Sequence, residues 1–251
     1  MYKKHKPHAY GKLCSMFYDL TKTYAPEREV DFYASFMKHG DRVLEAMSGS
    51  GRLQIPLLQR GYIVDGVDNS SIMLDRCRQR CAELLITPEL YNQSIEDLAL
   101  PHKYSTVTIA VGSFQLIADR NIALQVLKKI RAHMHDQGNL LIDIFVPDTT
   151  IAAQSIRIAR INNHSVIRLT TRHVFDEQKK LADAYCTYEL IDYGVVQQRE
   201  NELVQVVWYT DDDFSDLLKS AGFEVVKIYN ESFRLSGPSR VVHARAISVY
   251  T

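Results

Sequence analysis

The apolar and polar positions of this chain fall into two regimes. From Arg42 to Phe145, short apolar runs alternate with stretches of helical period. Arg42-Val-Leu-Glu-Ala-Met47 reads as a buried strand, followed by the turn Ser48-Gly-Ser-Gly51 and a helix from Arg52 to Arg60 that stops at Gly61. Ile63 to Val67 is a second strand ending at Asp68, and Ser70 caps a helix running to Leu85. Leu90 to Gln93 and Thr106 to Val111 read as the third and fourth strands. Arg120 to His135 is amphipathic, with Ala123, Leu124, Leu127 and Ile130 on one face. Gly138 is expected to end it, and Asn139 to Phe145 follows as a fifth strand. Upstream, Pro26 opens a helix to Lys38, because a proline in the first turn gives up no hydrogen bond. Val30, Tyr33, Ala34 and Met37 share its apolar face, and Gly40 lies past its end. Residues 1–24 show aromatic anchors at Tyr10, Phe17, Tyr18 and Tyr24 but no clear period.

After Pro147 the pattern changes. Residues 164–175, 181–193 and 196–209 read as strands, turning near Asp176-Glu-Gln-Lys-Lys180 and Tyr193-Gly194. A helix over Asp211 to Ala221 and strands over Phe223 to Tyr229 and Val241 to Tyr250 close the chain. Continuous apolar strands alternating with helices imply a parallel sheet covered on both faces. The expected architecture is therefore a single domain over residues 1–251. It is α/β, a doubly wound, Rossmann-like seven-stranded sheet, with an antiparallel β-meander inserted over residues 155–209. In such sheets ligands bind at the carboxyl edge, where the strand order reverses.

Composition narrows the function. Lys plus Arg and Asp plus Glu number 30 each, so the formal net charge is zero. That balance argues against nucleic acid as a partner, since non-specific binding to it rests on excess positive charge. The basic start, Lys3, Lys4, His5 and Lys6, reads as a solvated tail. No apolar run is long enough for a membrane span, and no leader-like segment opens the chain. Cys14, Cys77, Cys81 and Cys186 lack zinc-site spacing and read as free thiols, which suits a reducing, cytoplasmic compartment.

The chemistry concentrates in Val43-Leu-Glu-Ala-Met-Ser-Gly-Ser-Gly-Arg52. Two glycines at a strand-to-helix turn let the backbone bend sharply and approach a ligand. An acid about 20 residues further on, here Asp68, completes the nucleotide-binding arrangement by accepting hydrogen bonds from ribose hydroxyls. A dinucleotide fingerprint started at Gly49 fails at Gln54, and no phosphate-loop lysine is present. Glu45 instead stands before the turn, where a carboxylate suits a cationic ligand. S-adenosylmethionine, with its sulfonium and ammonium, has that character.

These segments resemble the class I S-adenosylmethionine-dependent methyltransferases. Val43 to Arg52 is similar to the family's first motif, commonly V-L-E-L-G-C-G-T-G-R, and Val64 to Leu74 to its second block. Ser94-Ile-Glu-Asp-Leu98 resembles the adenine block, Gly112 to Ile117 the segment lining the methyl-donor pocket, and Gly138 to Ile142 the fifth-strand entry. Trp208 to Thr210 and Leu217 to Val225 resemble the last helix and strand. The resemblance spans residues 17 to 250. It implies cofactor contacts from Glu45, Met47, Gly49, Gly51, Asp68, Asn69, Ile95, Glu96, Asp97, Gly112 and Phe114. Tyr18 matches an N-terminal tyrosine that in relatives closes over the cofactor. Met47 departs from the family's glycine, Ser94 from its acid, and Ser105 from an aspartate before the fourth strand.

The implied reaction is methyl transfer from S-adenosylmethionine to a nitrogen or oxygen of a small-molecule acceptor. The alternative is a catalytically silent protein using the meander as an interface. Arg52 reads equally as a cofactor contact or a solvated helix residue, and Arg28 as a surface charge. His164, His173 and His243 read as structural, so neither a general base nor a metal site is assigned. The meander, with Tyr188 sharing a face with Cys186 and Leu190 and not with Tyr185, reads as a lid or as a homodimer surface.

Overall fold

The computed structural model describes residues 11–150, 152–230, 233 and 239–248. The basic start, Tyr10 and Tyr250 lie outside the described residues. The chain forms two compact units, one of Tyr24–Pro147 with Val207–Thr251, the other of Met1–Thr23 with Asp148–Val206. Helix α1 (Lys12–Thr21) belongs to the second of these.

The larger unit is built on a seven-stranded sheet. Its strands are β1 (Arg42–Ala46), β2 (Ile63–Asp68), β3 (Glu89–Asn92), β4 (Tyr104–Ile109) and β5 (Met134–Phe145), followed after the second unit by β10 (Phe223–Tyr229) and β11 (Ser239–Ala246). Their order is β10-β11-β5-β4-β1-β2-β3. Strands β1 to β5 are parallel, and β11 runs antiparallel between β5 and β10. From β1 the chain winds outward to β2 and β3, then returns to the other side of β1 for β4 and β5. The reversal leaves a crevice at the carboxyl ends of β1 and β4, where ligands of such sheets bind.

Helices α2 (Glu27–Ala34), α3 (Gln54–Gln59), α4 (Ser71–Glu83), α5 (Arg120–Ala132) and α6 (Asp211–Ser220) complete this unit. Alternate residues of one strand feed two cores, as the twofold repeat of a strand requires. Leu44 packs with Val107, Leu127, Ile130, Leu217 and Leu218, whereas Val43 packs with Val30, Tyr33, Leu53 and Leu57. Helix starts are fixed locally. The Ser70 hydroxyl accepts the Met73 amide, Asp119 accepts those of Asn121 and Ile122, and the Thr210 hydroxyl accepts that of Asp213. Gly138 does not end α5. The helix stops at Ala132, and Gly138 lies inside β5. A Cβ there would fall 2.9 Å from the His135 carbonyl oxygen and 3.0 Å from that of Ser105. The glycine is thus needed for close strand approach, beside the register shift between Tyr104 and Thr106.

The smaller unit is a four-stranded antiparallel sheet, β6 (Gln154–Arg160), β7 (Ser165–Asp176), β8 (Leu181–Asp192) and β9 (Val195–Val207), with α1 against one face. The sequence pattern showed three of these strands; β6 and α1 are additions. Leu13, Cys14 and Phe17 of α1 pack on Ala159, Ile167, Leu169, Cys186 and Tyr188. Leu190 packs against the same cluster, while Tyr185 is exposed, matching the expected faces of β8. The α1 N-terminus is capped from β9, where Glu202 accepts the Gly11 amide at 2.6 Å and Glu200 that of Leu13 at 2.7 Å. All four cysteines are free and buried.

Candidate functional site

The carboxyl end of β1 runs straight into a backbone that L residues adopt reluctantly. Met47, Gly49 and Gly51 have φ of 59°, 56° and 79°. Glycine takes such angles freely, but a methionine pays about 1 kcal/mol or more. Met47 therefore holds a conformation that suits glycine at a cost and packs its side chain against the core. The loop is pinned on three sides. The Ser48 amide donates to the Val67 carbonyl at 3.1 Å, Arg80 Nη1 to the Ser50 carbonyl at 2.8 Å, and the Gly49 amide to Asp68 Oδ2 at 2.9 Å. Asp68 Oδ1 also accepts the Ser70 amide at 2.8 Å. One carboxylate thus ties the glycine loop to the start of α4. Burial raises the Asp68 carboxyl above its ordinary range, against the amides of Ser70, Gly49 and Asn69, which hold it down. Asn69 itself is exposed.

Beneath the loop lies a buried polar cluster that sequence reasoning only half identified. Arg52 is buried and grips Glu29 of α2 with both terminal nitrogens, at 2.8 and 2.5 Å. It is therefore neither a solvated helix residue nor a surface charge, and the fully buried Glu29 was not anticipated at all. The signal for Glu29 was weak, because an acid in the first turn of a helix is ordinarily a solvated dipole partner. Glu45 is 4% exposed, and its Oε2 has no hydrogen-bond partner. Burial pushes its carboxyl up to about 8, opposed by the Arg52 guanidinium and the Gln54 amide and reinforced by Glu29 and Asp68. Tyr33 is fully buried with an unpartnered hydroxyl; burial, then Asp143, Glu29 and Glu45, raise it well above the usual phenol range. The Ser48 hydroxyl is likewise buried without a partner.

The neighbouring strand ends carry the other expected residues. After β3, Ile95, Glu96 and Asp97 form a short 3-10 turn. Ile95 is buried in the core, while Glu96 and Asp97 are exposed. Lys129 holds the Glu96 carbonyl, and Ser94 its carboxylate. After β4, Val111 and Gly112 have φ of 58° and 74°. A β-branched residue in that region is a genuine outlier, and such strain concentrates at functional sites. Phe114 is enclosed by Tyr209 and Phe214, with ring centroids 6.4 and 5.6 Å away, so its side chain serves the core. Tyr18 lies on α1 in the other compact unit, with Lys22 over its ring. Among the three histidines, His243 is buried and bonded to Asn139 at 2.9 Å, and His164 stacks on Tyr193. No cluster of metal-ligating side chains occurs among the described residues, and none of their helices is long and apolar enough to cross a membrane.

The edge thus gathers, from one compact unit, Glu45 of β1 with Met47, Gly49 and Gly51 after it, Asp68 of β2 with Asn69 after it, residues 95–97 after β3, and Gly112 and Phe114 after β4. Residues 43–138 match the family described as Methyltransferase domain. A protein of Geobacillus sp. (strain WCH70) named "Putative methyltransferase" is 23% identical over 187 residues, 74% of this chain and 75% of the relative. Among solved structures, an S-adenosylmethionine-dependent methyltransferase from Clostridium acetobutylicum ATCC 824 superposes with a TM-score of 0.76 at 16% identity, covering 94% of this chain and 98% of the other. S-adenosylmethionine-bound CalS10, an amino pentose methyltransferase from Micromonospora echinaspora, superposes with a TM-score of 0.73 at 15% identity, covering 96% and 100%.

Proposed function

We infer that this chain, which carries a methyltransferase domain of the class I, S-adenosylmethionine-dependent type, transfers the methyl group of that cofactor to a nitrogen or oxygen of a small molecule. The observation that carries the reading is the unpartnered, buried Glu45 oxygen beneath a glycine loop that is tied to Asp68. The residues present fit the cofactor. A buried acceptor with no donor of its own suits an ammonium, and Glu45 would hold it. Each Asp68 oxygen already accepts an amide but keeps acceptor capacity, since a carboxylate offers about four lone-pair sites. Asp68 would thus hold the ribose hydroxyls. At Gly49 a side chain would meet nothing nearer than Met73 Cε at 3.6 Å, so the backbone there is open to a ligand. The backbone of residues 95–97 would face adenine, with the Ile95 side chain anchoring that turn in the core.

When bound, the cofactor supplies a methyl group made electrophilic by the sulfonium that carries it. The protein's contribution is alignment and exclusion of water, and alignment alone contributes about 7–11 kcal/mol in favourable cases. The strained Val111 backbone follows β4, the strand paired with β1, and would help hold that geometry in advance. No side chain is assigned as a base, so a nitrogen acceptor enters as its free base. A small acceptor is favoured by the zero formal net charge, which offers no electrostatic footprint for nucleic acid, and by the likeness to an amino pentose methyltransferase. The meander, with its own core and exposed aromatic residues, serves as a cover or as a self-association surface.

Titration calorimetry with S-adenosylhomocysteine and, separately, NAD tests the cofactor. The former is expected to bind and the latter not; the reverse result refutes the reading. Asp68→Ala is expected to weaken S-adenosylhomocysteine binding by about 1.5–3 kcal/mol, the range for a hydrogen bond to a charged group. Turnover of the methyl donor against a panel of amines, phenols and carboxylates identifies the acceptor class, and no turnover with any of them favours a silent binding protein.

A further inference from the structure

The polar cluster beneath the glycine loop is rich in buried acids. Glu29 and Glu45 are both sealed from solvent, and Asp143 on β5 is fully buried. Arg52 holds Glu29 with both terminal nitrogens, and Arg80 binds the Ser50 carbonyl of the loop. Glu45 receives the Gln54 amide, and its other oxygen meets no donor. The groups facing it come from every neighbouring element: Glu29 and Tyr33 from α2, Arg52 from the loop, Asp68 from β2, and Cys77 from α4. Asp143 acts on the same space through Tyr33. A bare carboxylate in such surroundings is held at a high free energy, because burial penalises charge and most of its neighbours are acids. The cheapest way to relieve it is a proton, and the alternative is an incoming cation.

We propose that Glu45 couples cofactor uptake to a proton: it holds a proton in the empty site and releases it when the cationic end of the cofactor arrives. This rests on the reading of the site as one for S-adenosylmethionine, and it deepens that reading, since it makes affinity depend on pH through a residue of this chain. The geometry supplies both requirements of the exchange. The oxygen that would carry the proton is the one without a partner, and the carboxylate that would remain accepts the Gln54 amide and lies near Arg52, just past the glycine loop.

The test is titration calorimetry with S-adenosylhomocysteine near neutral pH, in buffers of different ionisation enthalpy. The wild-type protein is expected to release about one proton per ligand bound. Its affinity is expected to tighten about tenfold per pH unit as pH rises towards about 8 and to level off above it. Glu45→Gln is expected to bind more weakly, release close to no proton and show a flat pH profile. Wild-type binding without proton release, and with a flat profile, overturns the coupling while leaving the cofactor assignment intact. Absence of binding at every pH overturns the cofactor assignment and the coupling with it. Proton release unchanged in Glu45→Gln overturns the assignment to Glu45, and a wild-type protein that releases no proton overturns the coupling even if Glu45→Gln does not fold.

Discussion

A methyl group added at Gly51 would land 2.5 Å from Cys77 Sγ and 2.9 Å from Ile55 Cγ1, whereas at Gly49 it would stay 3.6 Å from its nearest neighbour. Both residues have positive φ, so both substitutions carry backbone strain of about 1–2 kcal/mol. Gly51→Ala adds overpacking, and its total cost is expected to be about 2–4 kcal/mol in urea unfolding. Gly49→Ala should lose only the strain in stability yet show the larger loss in cofactor affinity. Equal stability losses for the two variants would contradict this division. His243 provides the clearest pH dependence. Its ring is 5% exposed and its Nδ1 has no partner; burial, helped by Arg245, depresses its pKa to about 4. Because the folded value lies below the unfolded one near 6.5, the folded state resists protonation. The contribution to stability is complete above about pH 6.5 and disappears as pH falls towards 4. Against His243→Gln, the wild-type protein should lose an additional 1–3 kcal/mol or so across that interval; parallel pH profiles would show that the ring titrates normally.

At the scale of elements, α1 owes its N-terminus to a strand far away in sequence. Gly11 offers no side-chain cap, and the orphan amides of Gly11 and Leu13 are taken by Glu202 and Glu200. Replacing both glutamates by glutamine should speed hydrogen exchange in the first turn of α1 and cost about 1–2 kcal/mol, with exchange in the larger unit unchanged. The same contact explains why the helix was not legible beforehand: its start signal lies on β9. Strand β6 was missed for a related reason. Gln154 to Arg160 alternates correctly, but Ile156 and Ile158 face solvent and only Ala159 is buried, so it resembles a polar connection. By contrast β1, β4 and the second half of β5 were readable because burial on both faces leaves largely apolar runs. Among candidate site residues, the place of Glu45, Asp68 and the glycines at strand ends and turns was readable because such positions have strict local chemistry. Glu29, Tyr33 and Asp143 were not, since their role comes from packing α2 and β5 around the loop, a relation that no local spacing encodes.

At the scale of the molecule, the carboxyl edge of the larger unit is pinned by backbone and side-chain bonds from several elements, so ligand binding should stabilise that unit with little rearrangement. S-adenosylhomocysteine at about 100 times its dissociation constant adds about 2.7 kcal/mol of stability. For a chain of this size that raises the melting temperature by roughly 5–10 °C, readable in a dye-based melt; an unchanged melting temperature at saturating ligand would count against binding to the folded state. The smaller unit is assembled from two distant stretches of chain, with α1 laid over the face that carries Ile167, Leu169 and Tyr188. This has a practical consequence for anyone shortening the protein. A version begun at Tyr24 keeps every motif of the nucleotide edge, yet strips three oily side chains of their cover and invites precipitation.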